Sequence, residues 1–419
     1  MARPPAAGRA PDRPLGPPPR AAARPTARTR RSPQEVGGHS RACGRCPRDR
    51  LVARIRVAPA PTGHGRAARH ARVRASHPFD TIPRVPPLSS PQAIPNVTAP
   101  VAVIGDVYID EVFEGDDRRG ASTEHLGGSG LAVATDLALL GVECMLIASV
   151  GDDAAGRRVR AHLDEHGIQF LPTVGSHPTG HVRSVHVQGR THSRYDESTR
   201  LRRVDFDDAQ LAAIGDAPYV AVAGFAFDDK KQQRKLLAAV RQPQNRLVLD
   251  PNPREGLFID QGRFRRHFER HASSALLVHL GSGDAELIFR SPVDEVTSDL
   301  LDLGAGHVLA TEGRNGSRWV NRAGLDVSAP IAYFDGPVVD TLGAGDAVLA
   351  VAIAALVREG VPRRELDARA ILHRAMALAG ATIRNRGPHL QDADEVPISA
   401  KRTSNAFRVL EEPRHRLVR

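Results

Sequence analysis

The sequence predicts an α/β fold with a mainly parallel sheet and helices on both faces. Three observations carry this. From Val101 onward, apolar runs of strand length alternate with segments of helical period, the order that builds a parallel sheet. Two polar, strand-like pieces, about 107–124 and 179–194, interrupt that rhythm. A strand end at Val338–Thr341 then passes through Leu342-Gly343-Ala344-Gly345-Asp346 into a helix of small and apolar residues.

Taken in order, Val101-Ala102-Val103-Ile104-Gly105 reads as a short buried strand, and Leu126–Gly141 as a glycine turn opening a helix. A strand at Met145–Val150 and a helix over Ala155–Glu165 follow. His181, Arg183, Val185 and Val187 alternate with Val182, Ser184 and His186, a period of two that indicates strand. Further strands fall near Tyr219–Ala223, Leu247–Asp250, Leu276–His279 and Val308–Thr311. Helices at Lys230–Arg241 and Val293–Leu303 separate them, and the last two helices lie at Val348–Arg358 and near Leu366–Arg384.

The chain has 419 residues and a formal charge of +10, very unevenly placed. Residues 1–97 hold 19 arginines against four acids, a net of +15. The remainder carries 39 basic against 44 acidic residues, a net of −5. The basic character therefore belongs to the extension, and no nucleic-acid partner is expected for the folded part. Residues 1–97 are rich in Pro, Ala, Arg and Gly without a sustained apolar period, so they read as disordered. The readings of this stretch are a transit peptide, an arginine-rich RNA-binding arm and an upstream over-extension of the coding start, of which we prefer the last; residues 401–419 read as a tail. Three cysteines, Cys43, Cys46 and Cys144, cannot build a disulfide framework, which fits a reducing cytoplasm. Cys43-x-x-Cys46 lacks a second pair, so a zinc site is not expected. No long uncharged apolar run marks a membrane span.

The Gly343-Ala344-Gly345 turn leaves backbone N–H groups at a helix start without intrahelical partners. With the helix dipole they form an anion site, and Asp346 sits in the first turn beside it. A carboxylate next to an anion hole suits phosphoryl transfer to an alcohol. A Gly-x-Gly-Asp alone would equally fit a plain helix start; the ten-residue strand–turn–helix context favours chemistry.

Asp340-Thr341-Leu342-Gly343-Ala344-Gly345-Asp346 resembles the C-terminal signature of the ribokinase-like (PfkB) carbohydrate kinases, over roughly residues 99–398. The resemblance implies a three-layer α/β/α sandwich, residues 98–400, with the two polar pieces forming a small β-sheet lid that often also serves as a homodimer surface. It implies ATP-dependent phosphorylation of a hydroxyl on a sugar or sugar-like molecule. Asp346 would be the base and the Gly343, Ala344 and Gly345 amides the anion hole. Mg²⁺ would accompany ATP, and a monovalent cation such as K⁺ would sit near Asp340 and Thr341.

Gly105-Asp106-Val107-Tyr108-Ile109-Asp110 is similar to the opening strand where these kinases hold sugar hydroxyls; Asp110 takes that position, with Asp106 a second candidate. Read alone, such acids would simply be solvated. Leu126-Gly127-Gly128-Ser129-Gly130 resembles the N-terminal Gly-Gly signature, which makes Gly127, Gly128 and Ser129 substrate candidates. The family's following Asn is Ala132 here. Asp250-Pro251-Asn252-Pro253-Arg254 resembles a D-x-N-x-R segment, assigning Asn252 and Arg254 to phosphate or an acidic group. Thr311, Gly313 and Gly316 fit a T-x-G-x-x-G nucleotide loop. Where the family has N-x-x-E for its metal, Gly281 and Asp284 stand, leaving Asp284 as the metal candidate.

No G-x-x-x-x-G-K-[ST] occurs, and none of the four lysines (Lys230, Lys231, Lys235, Lys401) follows a glycine, which excludes a P-loop kinase. The protein-kinase motif set is also missing. Two other readings stand beside the sugar kinase. A nucleoside acceptor would need an aromatic platform in the lid, for which Tyr108 is the candidate. A non-catalytic sugar or nucleotide binder would explain Ala132 and Gly281, although it has no use for Asp346.

Overall fold

Apolar strands and polar strands segregate into two sheets. The computed structural model describes residues 99–113, 121–187, 190–241, 246–334, 336–385 and 390. All of them lie in the unit His77–Arg419. The extension with Cys43 and Cys46, the 401–419 tail and the outer limits of the 98–400 domain lie outside the described residues.

The chain begins β1 (Val101–Gly105), β2 (Tyr108–Phe113), β3 (Ser122–Gly127), α1 (Ser129–Leu139), β4 (Cys144–Val150), α2 (Ala154–Glu165) and β5 (Gln169–Val174). It continues β6 (Gly180–Val187), β7 (Arg190–Tyr195), α3 (Glu197–Arg200), α4 (Asp208–Asp216), β8 (Val220–Ala223), α5 (Lys230–Ala239) and β9 (Leu247–Asp250). Next come α6 (Gln261–Ala272), β10 (Leu277–Gly281), the single turn α7 (Ser282–Asp284), α8 (Val293–Leu303) and β11 (His307–Thr311). The hairpin β12 (Ser317–Asn321) and β13 (Asp326–Ala329) leads to α9 (Ala344–Glu359) and α10 (Glu365–Thr382).

Among the described residues the large sheet runs β13-β12-β11-β10-β9-β8-β1-β4-β5. It is parallel from β11 to β5 and antiparallel only at the β12–β13 edge. Every residue of β1 is buried, as a strand covered on both faces requires. One face packs on α1, α9 and α10; the other packs on α5, α6 and α8 through Phe227, Phe264 and Phe268. The result is the three-layer sandwich, with β2, β3, β6 and β7 forming the small sheet in the order β3-β2-β6-β7.

Helix α9 is apolar around its whole circumference, with Ala347 to Val357 all buried. Such a helix belongs in an interior, and α1 and α10 flank it. Elements absent from the sequence analysis are mostly polar or peripheral. Helix α6 has only Phe264, Phe268, His271 and Ala272 buried on an otherwise charged surface, and β5 is a half-exposed edge strand.

Candidate active site

The parallel strands β9, β10 and β11 end side by side, placing Asp250, Gly281 and Thr311 at one rim of the sheet. Ligands of open α/β sheets bind at such carboxyl ends. Above this rim and beneath the small sheet lies a cavity of about 700 Å³, lined by Asp110, Asn252, Arg254, Asp284, Gly345 and Asp346 among others. A second, mostly apolar hollow of about 210 Å³ adjoins it, lined by Gly313, Gly316, Val338, Met376 and Ile383. The two share Thr311, Thr341 and Gly345.

Gly343 adopts φ 77°, the left-handed region that suits glycine, and caps α9 without a side-chain hydrogen bond. The Ala344 amide reaches the Thr341 carbonyl at 3.4 Å. The amides of Gly343, Gly345 and Asp346 have no acceptor among the described residues. The start of α9 is therefore open toward the cavity, except that Ala344 is partly engaged.

Asp346 is 6% exposed. Ser129 Oγ donates to its Oδ1, and Asn252 Nδ2 donates both to Ser129 Oγ and, at 3.3 Å, to the same Oδ1. Burial pushes the Asp346 carboxyl up and the Asp250 carboxylate adds to this, while the Ser129 hydroxyl and Arg254 pull it back; it comes to about 7. A group at that value can take a proton near neutrality. Arg254 stands half-buried among Tyr108, Tyr195, Asp346 and Asp284; desolvation disfavours its charge, and these neighbours outweigh that effect. Asp284 caps its own turn, its Oδ2 accepting from the Gly281 amide at 2.8 Å. Burial and then Asp250 raise it to about 6.

Several sequence candidates sit elsewhere than expected. Asp106 does not line the cavity: its Oδ1 accepts from the Ser129 amide at 2.7 Å and the Gly130 amide at 3.4 Å, closing the start of α1. Gly127 and Gly128 do not line it either. A Cβ on Gly127 would meet the Tyr108 ring at 2.7 Å, and one on Gly128 the Asp106 carbonyl at 2.3 Å. Both glycines permit close packing at the start of α1. Ser129 reaches the site only through Asp346 and Asn252. Asn252 and Arg254, expected at phosphate or an acidic group, do line the larger cavity beside Asp346, while Gly313 and Gly316 line the apolar hollow. Asp110 does face the cavity, and Ser184 Oγ donates to its Oδ1 at 2.8 Å.

Other lining residues were not singled out by sequence. Tyr195, Ser193 and His192 come from β7, His279 from β10, Met376 and Ala379 from α10, and Ile383 from just past its end. The histidine inside Leu277-Val278-His279-Leu280 was the available signal, a polar side chain in an otherwise apolar strand. The apolar residues of α10 carry no signal apart from core packing.

The pfkB family carbohydrate kinase profile matches residues 99–394. The chain belongs to this family. It is 28% identical over 318 residues to the bifunctional protein HldE of Caulobacter sp. (strain K31), covering 71% of this chain and 62% of that protein. It therefore spans about three fifths of that relative's length. A fructokinase of Klebsiella pneumoniae is 27% identical over 275 residues, 62% of this chain and 85% of that one. Among solved structures, aminoimidazole riboside kinase from Salmonella enterica, complexed with aminoimidazole riboside and an ATP analogue, superposes with a TM-score of 0.54. That match, at 22% identity over 69% of this chain and 94% of that chain, is a likeness of fold. No helix among the described residues is long and apolar enough to cross a membrane.

Proposed function

We propose that this PfkB-family kinase transfers the terminal phosphoryl group of ATP to a hydroxyl of a small sugar or sugar-like acceptor. One observation carries the reading: open amides at the start of α9 and a carboxyl near pH 7 face the same cavity. Asp346 takes the acceptor's proton, and the amides of Gly343, Gly345 and Asp346 receive the transferring phosphoryl group. Asp110, fixed by Ser184, holds acceptor hydroxyls, because a carboxylate accepts them in pairs. The apolar hollow suits a nucleobase, with the phosphates crossing at Thr311, Thr341 and Gly345.

No group of three His, Cys, Asp or Glu among the described residues is arranged to hold a metal. Magnesium fits such a site, since it is commonly bound by one carboxylate together with substrate phosphates. Asp284, a half-buried carboxyl with Oδ2 already engaged, would be that ligand. When bound, the ion neutralises phosphate charge. Asp340 and Thr341 are the residues we propose for a monovalent cation, and the open β3 and β7 edges of the lid for a second copy of the chain.

A second reading has its own support. Tyr108 and Tyr195, both 8% exposed, line the acceptor cavity from two lid strands, a platform on which a nucleoside base would stack. ADP release with Mg-ATP across sugars, sugar acids and nucleosides decides between them, with Asp346→Asn run beside the wild type. The proposal expects turnover with one acceptor class, lost in the variant. Undiminished turnover in the variant would overturn the role given to Asp346. Ligand binding without turnover by any acceptor would make the protein a binder.

A further inference from the structure

Strand β10 carries a histidine into the floor of the cavity. His279 is 3% exposed, and its Nδ1 lies 2.9 Å from Oδ2 of Asp250 at the end of the neighbouring β9. On the far side of the ring, Nε2 lies 3.3 Å from Thr311 Oγ1 at the end of β11. Thr311 lines both the large cavity and the apolar hollow. The ring also lies against the glycine turn, since a Cβ on Gly345 would stand 3.4 Å from His279 Cε1.

A carboxylate only accepts hydrogen bonds, so Nδ1 must carry a hydrogen to bond Asp250. Burial alone favours the neutral ring. Asp250, and more weakly Asp284 and Asp346, outweigh it and hold the imidazole above its ordinary value. When the ring is protonated, Nε2 also carries a hydrogen and donates to Thr311 Oγ1. A buried ion pair is a poor way to gain stability compared with apolar packing, and this one stands where two ligand hollows meet.

We propose that His279, held by Asp250, is a positioning residue for the nucleotide: its imidazolium occupies the acceptor side of the Thr311 hydroxyl, turning that hydroxyl's hydrogen toward the phosphate chain. Its charge lies behind the Gly343–Gly345 turn and adds to the attraction for phosphate. The inference rests on the kinase reading above, which assigns the apolar hollow to the nucleobase.

The test is calorimetric binding of Mg-ATP and of adenosine to the full chain, as wild type, His279→Gln, Thr311→Val and the double variant. Each single variant is expected to bind Mg-ATP about tenfold more weakly, as loss of a charge-assisted donor implies. The double variant should be no weaker than either single one, because both break the same relay. Adenosine, which lacks phosphates, should bind all four alike. Thr311→Val keeps the Asp250–His279 pair intact and so stands as a check if His279→Gln folds poorly. The ratio of wild-type to His279→Gln affinity for Mg-ATP should approach one as pH rises and the imidazole loses its charge. Asp250, Asp284, Asp346 and Arg254 face the same floor in both proteins. Unchanged Mg-ATP affinity in both single variants would overturn the relay while leaving the kinase reading intact. An equal loss for adenosine would reduce His279 to a packing residue. A wild type that binds no Mg-ATP would overturn both.

Discussion

Two helices in this protein begin in glycine-rich turns, and the structure treats them in opposite ways. At the start of α1, Gly127-Gly128-Ser129-Gly130 is closed from within. Asp106 Oδ1 takes the Ser129 and Gly130 amides, and its carbonyl takes the Leu131 amide at 3.3 Å. At the start of α9, Leu342-Gly343-Ala344-Gly345 has no side-chain cap, and three amides have no acceptor among the described residues. Both turns offer the same dipole and the same orphan donors. One is filled by the protein's own carboxylate and serves packing; the other, with no such partner among the described residues, is the one we propose for a ligand. A glycine motif at a helix start thus becomes an anion site only where nothing in the chain supplies the anion.

The largest effect expected from breaking this contrast is at Asp346. Asp346→Asn removes the proposed base and should lower kcat by about a thousandfold, within the usual range for a general base, measured as ADP release. The same change should raise stability. The folded carboxyl sits near 7, above its ordinary 3.8, so the fold loses stability as pH rises through that interval and the carboxyl ionises. At about pH 8 the Asn variant avoids that loss and should melt a few degrees higher. A variant both inactive and less stable would argue that Asp346 holds the fold and does no chemistry.

The glycines sharpen the comparison further. Gly128 has φ 110°, and a Cβ there would stand 2.3 Å from the Asp106 carbonyl. Gly128→Ala should therefore cost on the order of 3–4 kcal/mol of stability in denaturant unfolding. Gly345→Ala meets only His279 Cε1, at ordinary contact distance. Its melting temperature should stay within about two degrees, because a helical Gly→Ala change is favourable in itself. Its kcat/KM should nevertheless fall about tenfold, since a methyl group pressed on His279 Cε1 would disturb the turn that presents the amides.

How much of this was legible in the sequence differs between the two turns. The proposed α9 site is local: turn, carboxylate and helix are contiguous, so residues 340–346 suggest it. The α1 closure is not, because Asp106 and Asp110 lie four residues apart on the same stretch and nothing in the sequence says which one turns inward. The structure sends Asp106 to the helix start and Asp110 to the cavity. The strand–helix alternation was legible because apolar runs mark buried parallel strands. Helix α6 and strand β5 were obscured by charged and half-exposed residues, and the β12–β13 hairpin lay at the sheet edge. His279 and Tyr195 became visible only when sheet register brought distant segments to one rim.

Two smaller effects follow. Asp106→Ala removes the inner cap of α1 and leaves Arg202, 3.8 Å away, without that carboxylate. Unfolding free energy should drop by about 2 kcal/mol, with Mg-ATP affinity unchanged. An altered nucleotide affinity would mean that the two helix starts are not as separate as the hydrogen bonds indicate. For the wild type, kcat/KM should fall about tenfold per pH unit below about 7, as Asp346 becomes protonated, and level off above it. A profile flat to about pH 5 would remove the basis for a raised carboxyl.

We propose that the start of α9, and not that of α1, receives the phosphoryl group. The most direct test is a crystal structure of the protein with ADP and fluoroaluminate, a mimic of the group in transfer. The fluoroaluminate is expected within hydrogen-bond distance of the Gly343, Gly345 and Asp346 amides, with the Asp346 carboxylate facing the side from which the acceptor attacks. Fluoroaluminate bound elsewhere, with those amides turned to the protein's own carbonyls, would contradict it.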